Sequence, residues 1–333
     1  MKMSDKETFK KELNERTAEI EKLIETYLPE ETGHQKTILE AMNYSIRAGG
    51  KRLRPMLLML SNGIFTDKIQ HALPAAAAVE VFHNFTLLHD DIMDNAAVRR
   101  GKPSVYAKWG QNVAILSGDA MLICAYRLLG EVPAQLLPQI LSTFNTMALE
   151  VCEGQQYDMD FERKPKVSVV EYMHMIELKT SVLLAGATTI GALLGGASEE
   201  DCRKLRRFAI ELGLAFQLQD DLLDSYGDER LGKAIGGDIL EGKQTYLMIT
   251  AISRADEPTR EVLRSTHRSQ MPDAEKIATI KAVYDRLDIP RLTEQQISLR
   301  FERALGILDT LSVEKSRTER MREYALSLMG RKN

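Results

Sequence analysis

Apolar residues recur along most of this chain at spacings of three and four, the period of a helix with one buried face. Phe9, Leu13, Ile20, Leu23, Ile24 and Tyr27 form the first such stripe, preceded by a capping-box pattern at Ser4 and Glu7 and closed by Pro29. A second stripe runs from about Gln35 to Ala48 and stops at Gly49 and Gly50, a pair suited to a left-handed helix end and to the close approach of a ligand. The same patterning predicts helices around 55–65, 72–95, 112–129, 134–160, 168–194, 199–226, 239–253, 258–269, 274–287 and 293–328. Breaks fall at Gly101 to Pro103, Gly130 to Pro133, Lys164 and Pro165, Gly195 and Gly196, and the glycine-rich stretch 227–238. No segment alternates as a strand would, and no Pro/Gly/Ser-rich linker interrupts the pattern. The expected fold is therefore all-α, a single large helical bundle over residues 1–333 with a central cavity.

Two acidic stretches disturb this regular patterning. LLHDDIMD puts Asp90, Asp91 and Asp94 on one apolar run, and FQLQDDLLD repeats the spacing at Asp220, Asp221 and Asp224. On a helix Asp94 lies roughly 40° and Asp91 roughly 100° from Asp90, so the three carboxylates share a face. Like charges so placed repel unless a cation neutralises them. An oxygen-only set without His or Cys suits Mg²⁺, which keeps several waters and bridges one or two carboxylates to substrate phosphates. The ligand this implies is a diphosphate held between two acidic helices, which places both clusters on one cavity and argues for one domain.

Cations answer the aspartates. Lys51, Arg52 and Arg54 lie in GGKRLRP at a predicted helix start, where backbone N–H groups already favour an anion. Arg99 and Arg100 follow the first acidic run and add a second anion site. His83 precedes Asp90 by seven residues, about 20° away on the same face, and so points toward the metal cavity. Gln217 lies on the acidic face about 60° from Asp220. Lys179, Thr180, Lys233 and Lys243 are candidates for phosphate contact.

Composition narrows the field. The chain has 333 residues, 44% hydrophobic and 28% charged, a globular balance. A net charge of −4 argues against a nucleic-acid partner. The three cysteines, Cys124, Cys152 and Cys202, form no CxxC pair, so neither a zinc site nor a disulfide framework is indicated. The N-terminal stretch is too charged for a signal peptide, and no apolar run is expected to approach the ~18 residues of a membrane span, which predicts a cytoplasmic location without a transmembrane segment. No nucleophile elbow, Cys/His pair or P-loop is present.

The set GGKRLRP, LLHDDIMD with VRRGKP, GQQYD at 154–158, LKT at 178–180, FQLQDDLLD, and GK at both 232–233 and 242–243 resembles the trans-isoprenyl diphosphate synthases, or polyprenyl synthetases, from about residue 36 to 255. The resemblance implies head-to-tail condensation of an allylic diphosphate (dimethylallyl, geranyl or farnesyl) with isopentenyl diphosphate. It implies three Mg²⁺ ions with bound diphosphate, clamped by Asp90, Asp94 and Asp220 with support from Asp91, Asp221 and Asp224. Arg99, Lys179, Lys233 and Lys243 would add fixed positive charge at the leaving group, and Gln217 and Thr180 would hydrogen-bond near the cation. Lys51, Arg54, His83 and Arg100 would hold the acceptor diphosphate. The resemblance also implies a homodimer, with 112–130 as its interface, and a chain-length floor just upstream of Asp90. Phe85 with the small Thr86 after it resembles the C20, geranylgeranyl type, while Ile24 to Leu60 resembles the bacterial C15, farnesyl type. A terpene cyclase would lack the second aspartate motif and the acceptor site, a non-catalytic subunit would lose aspartates, and an acidic scaffold would not need the cations.

Overall fold

The computed structural model describes residues 5–27, 33, 36–227 and 235–329. The Ser4 cap, Pro29, Gln35 and Lys233 lie outside the described residues. The helices in chain order are α1 (Asp5–Tyr27), α2 (Lys36–Arg47), α3 (Leu53–Phe65), α4 (Leu73–Met93), α5 (Val105–Trp109), α6 (Gln111–Leu129), α7 (Leu137–Arg163) and α8 (Val169–Ile176). They continue as α9 (Val182–Gly195), α10 (Glu199–Tyr226), α11 (Gly237–Glu241), α12 (Tyr246–Arg254), α13 (Glu257–Ser265), α14 (Asp273–Arg286), α15 (Ile289–Leu308) and α16 (Lys315–Met329). The fold is all-α, as the periodicity predicts.

Three departures have identifiable causes, two local and one tertiary. A two-stranded antiparallel ribbon, β1 (Val98–Arg99) with β2 (Lys102–Pro103), pairs Arg99 with Lys102, where no strand was expected. Its two-residue turn, Arg100 and Gly101, has φ of 54° and 72°, the signature of a type I′ hairpin, too short to register as alternation. The helix expected over 239–253 is two, because Gly242 takes a left-handed cap at φ 70° and ends α11. The helix expected over 293–328 is also two, and the break is held at Ser312, whose N–H donates to Asp201 Oδ1 at 3.0 Å.

Gln111–Leu129 and Val169–Gly195 are long and apolar enough to cross a membrane by length and composition, which corrects the expectation that no stretch approaches that length. In the second, 67% of the apolar window is buried inside the protein, and in the first 44%. The mostly buried Val169–Gly195 is apolar as a core helix is, because its side chains face other side chains, whereas Gln111–Leu129 leaves part of its apolar surface exposed.

The described chain divides into two compact units. The first runs to Asn145 and takes in Gly186–Leu205 and Ser312–Met321; the second takes in Thr146–Ala185, Arg206–Leu311 and the chain from Arg322. All the boundaries but the one at Leu311 and Ser312 fall inside long helices, so composition does not mark them.

In the first unit α4 packs most extensively against α6. Ala75 to Ala78 are fully buried, and small side chains let neighbouring helices approach closely. At the other end of α4 the His89 ring fills the space a Cβ on Gly118 would need, 2.4 Å from Nε2. Gly191 of α9 plays the same part against α3, where a Cβ would lie 2.1 Å from the Leu58 carbonyl oxygen. An aromatic file, Tyr126, Phe144, Phe82, Phe85 and His89, links ring centroids 4.7 to 5.5 Å apart.

In the second unit Ile239, Leu247, Met248, Leu263, Ile280, Val283, Tyr284 and Ile289 form a buried core under α11 to α15. A turn with π-helical hydrogen bonding, Glu177–Ser181, joins α8 to α9. Such turns insert an extra residue and are frequent at functional sites.

Candidate active site

The first acidic cluster sits at the C-terminal end of α4. Asp94 is the residue after the helix and keeps helical backbone, its N–H donating to the Asp90 carbonyl at 2.9 Å. The carboxylates therefore keep the register read from the sequence. Negative charge at a helix C-terminus opposes the helix dipole and requires a counter-charge. The ribbon supplies it: Arg99 donates from Nε to Asp91 Oδ1 at 2.8 Å and from Nη2 to Asp90 Oδ2 at 3.1 Å. Burial pushes the Asp91 carboxyl above its usual range, and the bond from Arg99 opposes that rise.

The ribbon itself is anchored on both sides. Ser104 Oγ donates to the Ala96 carbonyl at 2.6 Å and caps α5, and Tyr44 of α2 donates to the Pro103 carbonyl at 2.8 Å. Arg100, at the turn, donates to the Gly49 carbonyl. A Cβ on Gly50 would lie 2.9 Å from Arg100 Nη2, so the glycine pair makes room for an arginine of this chain.

Further basic side chains gather beside that contact. Arg54 Nη1 lies 3.0 Å from His83 Nε2. Burial first, then Arg54, Arg100, Arg99 and Arg52, hold the His83 imidazole well below its ordinary pKa of 6.5. It is therefore neutral and accepts from Arg54 at Nε2, which leaves the proton on Nδ1. Nδ1 is buried without a hydrogen-bond partner among the described residues. His83 thus pairs with Arg54, and two turns of α4, about 10 Å, separate it from Asp90 on the same helix. Lys51, three residues before Arg54 in the chain, is exposed. Arg52 is not part of this basic group, since its side chain is 2% exposed and bonded to Glu80.

The second acidic cluster ends α10. Asp221 is buried, accepts the Tyr172 hydroxyl at Oδ2, and accepts Gln217 Nε2 at Oδ1 at 3.1 Å. Gln217 Oε1 in turn accepts Thr180 Oγ1 at 3.1 Å. Burial pushes Asp221 up to about 6 against these bonds. Asp224 accepts the Asp238 N–H at 3.1 Å. Asp238, which was not singled out in the sequence, is pushed up to about 7 by burial and by Asp224 and Asp221. Lys243 Nζ lies 3.8 Å from Asp238 and 2.9 Å from Glu241.

Lys179 rides on the π turn and donates to Asp158 at 2.6 Å. Gly154 permits that approach, for a Cβ there would lie 2.2 Å from the Lys179 nitrogen. The GQQYD and LKT motifs are thus one local construction. Asp158 and Asp238 were legible as members of quoted stretches, whereas Tyr172 carried no signal. Phe85 is half-buried between Phe82 and His89, and the Thr86 hydroxyl donates to the His83 carbonyl at 2.8 Å.

Among the described residues no group of three His, Cys, Asp or Glu side chains closes into a metal cage. The donors fit Mg²⁺ in another way, because that ion takes one or two carboxylates and completes its shell with water and phosphate oxygens. Raised carboxyl pKa values in both units mark charge that a bound cation would stabilise.

The polyprenyl synthetase family profile matches residues 35–287. The geranylgeranyl diphosphate synthase of Methanosarcina mazei is 43% identical over 251 residues, 74% of this chain and 76% of that one. The short chain isoprenyl diphosphate synthase of Methanothermobacter thermautotrophicus is 41% identical over 232 residues, 69% of this chain and 71% of that one. A crystal structure of a geranylgeranyl pyrophosphate synthase superposes with a TM-score of 0.90 at 40% identity, covering 96% of this chain and 99% of that one. The chain belongs to the polyprenyl synthetase family. It is a trans-prenyltransferase.

Proposed function

We propose that the enzyme condenses an allylic diphosphate with isopentenyl diphosphate to give all-trans geranylgeranyl diphosphate and inorganic diphosphate, its two compact units working as one polyprenyl synthetase domain. The observation that carries this is the Arg54, His83 and Arg100 group beside Gly49 and Gly50, a second anion site distinct from the carboxylates. Condensation needs such a site and cyclisation does not. The family profile, which spans most of both units, and the kinship to geranylgeranyl diphosphate synthases support the same reading.

The allylic C–O bond breaks with its electron pair passing to the diphosphate. Three Mg²⁺ ions, when bound, supply Lewis-acid stabilisation of that charge. Asp90, Asp94 and Asp220 would hold them, with Asp91, Asp221 and Asp224 in support, and Tyr172 and Gln217 fix the orientation of Asp221. Arg99, Lys179, Lys233 and Lys243 add positive charge toward the leaving group, and Gln217 and Thr180 present polar atoms toward the allylic cation. Lys51, Arg54, His83 and Arg100 bind the acceptor diphosphate. The isopentenyl double bond attacks the cation, forming the new C–C bond, and the proton lost from the adduct passes to the departing diphosphate.

A homodimer and a cytoplasmic setting belong to the same proposal. The outer face of α6 exposes Ile115, Leu116, Ile123 and Tyr126, and the three cysteines are free thiols. The farnesyl (C15) product is the competing outcome, because the stretch from Ile24 to Leu60 resembles the bacterial farnesyl type, whereas the small Thr86 leaves the channel open for a longer chain.

With Mg²⁺, pyrophosphate release is expected only when both diphosphates are present, and chromatography of the dephosphorylated product should show C20. Release from the allylic substrate alone, with cyclic hydrocarbons, would identify a cyclase. Asp90→Ala and Asp220→Ala should each lower turnover by about 10²-fold or more with helical circular dichroism unchanged. Phe85→Ala should lengthen the product and Thr86→Phe shorten it toward C15; a wild-type product of C30, or no lengthening in Phe85→Ala, would mean that the floor lies elsewhere.

A further inference from the structure

GGKRLRP holds two arginines with opposite fates. Arg54 meets His83, while Arg52 turns inward and is 4% exposed, a burial that arginine tolerates only when paired. All three of its guanidinium nitrogens donate: Nη1 to Glu80 Oε1 at 2.6 Å, Nε to Glu21 Oε1 at 3.1 Å, and Nη2 to the Ile46 carbonyl at 2.9 Å. The Arg52 and Glu80 side chains are each 2% exposed. Glu80 is held in turn by Asn84, whose Nδ2 donates to the Glu80 carbonyl at 2.8 Å and to Oε1 at 3.3 Å.

The backbone at Arg52 is left-handed, φ 47° and ψ 38°, a conformation that a residue with a Cβ keeps only where its surroundings over-determine it. The reversal directs the chain from Lys51 into α3, whose first turn carries Arg54, and the Arg52 carbonyl accepts the Met56 N–H at 3.1 Å. Glu80 and His83 are one turn apart on α4. That helix therefore grips the loop twice, through the side chain of Arg52 at Glu80 and through the side chain of Arg54 at His83.

We propose that Glu80 is a positioning residue for the acceptor diphosphate: through Arg52 it pins the left-handed turn that sets Lys51 and Arg54, and so governs the affinity for isopentenyl diphosphate without touching it. This rests on the acceptor role given above to Lys51, Arg54, His83 and Arg100. Glu21 and Asn84 bond to the pair, Ser45 Oγ reaches Asn84 Oδ1 at 3.5 Å, and the charges of Glu80 and Arg52 are both felt at Arg100.

The test is the steady-state kinetics of Glu80→Gln, which keeps the shape and an acceptor for Arg52 but removes the charge. A paired Arg52→Met/Glu80→Leu variant goes with it, since replacing both members of a buried ion pair by apolar residues avoids leaving one charge stranded. The KM for isopentenyl diphosphate should rise about tenfold, with kcat and the KM for the allylic diphosphate within about twofold of wild type, the pattern of lost ground-state binding. Circular dichroism reports folding. Unchanged kinetics in a folded variant, both KM values rising together, or failure of both variants to fold would reduce the pair to a structural pin and overturn the inference. If the wild-type protein itself turns over no pair of diphosphates, the functional reading fails and this inference with it; an active wild type beside unaltered variants sinks only the positioning role.

Discussion

His83 is a histidine kept uncharged by burial and a ring of arginines, and its pH behaviour follows from that. Its folded pKa lies below the ordinary 6.5, so at lower pH the unfolded chain takes up a proton that the native protein refuses. The unfolded state then binds more protons, and stability rises with pH across the window between the two values. The contribution is fully present above pH 6.5 and is lost as pH falls below it. Urea unfolding of wild type and His83→Gln at about pH 5.5 and about pH 7.5 checks this: only the wild type should lose this increment at the lower value, and a difference independent of pH would show that His83 does not titrate as described. The residue was legible in the sequence as chemistry, a histidine in register with Asp90. Its partner was not, because Arg54 reaches it from another helix 29 positions away along the chain.

Among the elements, the π turn at Glu177–Ser181 shows how a motif is held by a helix distant in sequence. Gly154 of α7 lies against it so closely that an added methyl would fall 2.2 Å from the Lys179 nitrogen and 2.6 Å from the Leu178 carbonyl carbon, both backbone atoms that cannot swing aside. Gly154→Ala should therefore destabilise by about 1–3 kcal/mol, the range for overpacking, and should lower kcat by displacing Lys179 from Asp158. Gly306→Ala is the control. Nothing lies within 4 Å of a Cβ there, so the helix-favouring alanine should be neutral or stabilising in the same denaturation measurement. Helix periodicity made α7 and the region of α8 and α9 legible, but a five-residue π turn barely disturbs a pattern read over several turns. The splits at Gly242 and near Ser312 escaped for a related reason: the hydrophobic spacing runs on through them, and the left-handed glycine and the Asp201 bond that end the helices are local or tertiary events.

For the whole molecule, the exposed face of α6 makes assembly the property to measure. Ile115, Leu116, Ile123 and Tyr126 are 36%, 52%, 61% and 38% exposed on one nineteen-residue helix, an apolar strip of the kind that marks interaction surfaces. Light scattering at micromolar concentration should give twice the chain mass, and Leu116→Lys with Ile123→Lys should shift it to the monomer, since lysine is depleted from interface cores. A monomeric wild type would refute the dimer. The all-α class, the positions of the long helices apart from their internal breaks, and the two aspartate motifs were determined by the sequence alone, because each rests on spacings within one or a few turns. Which donor meets which carboxylate was decided only in three dimensions. Arg52 goes to Glu80, Arg99 to Asp90 and Asp91, Tyr172 to Asp221, and the Asp238 backbone to Asp224. These pairings span 8 to 49 positions along the chain and depend on distances of about 3 Å. A spacing rule records which residues share a helix face; only packing brings the partner on another element within reach and removes the water that would otherwise screen the pair.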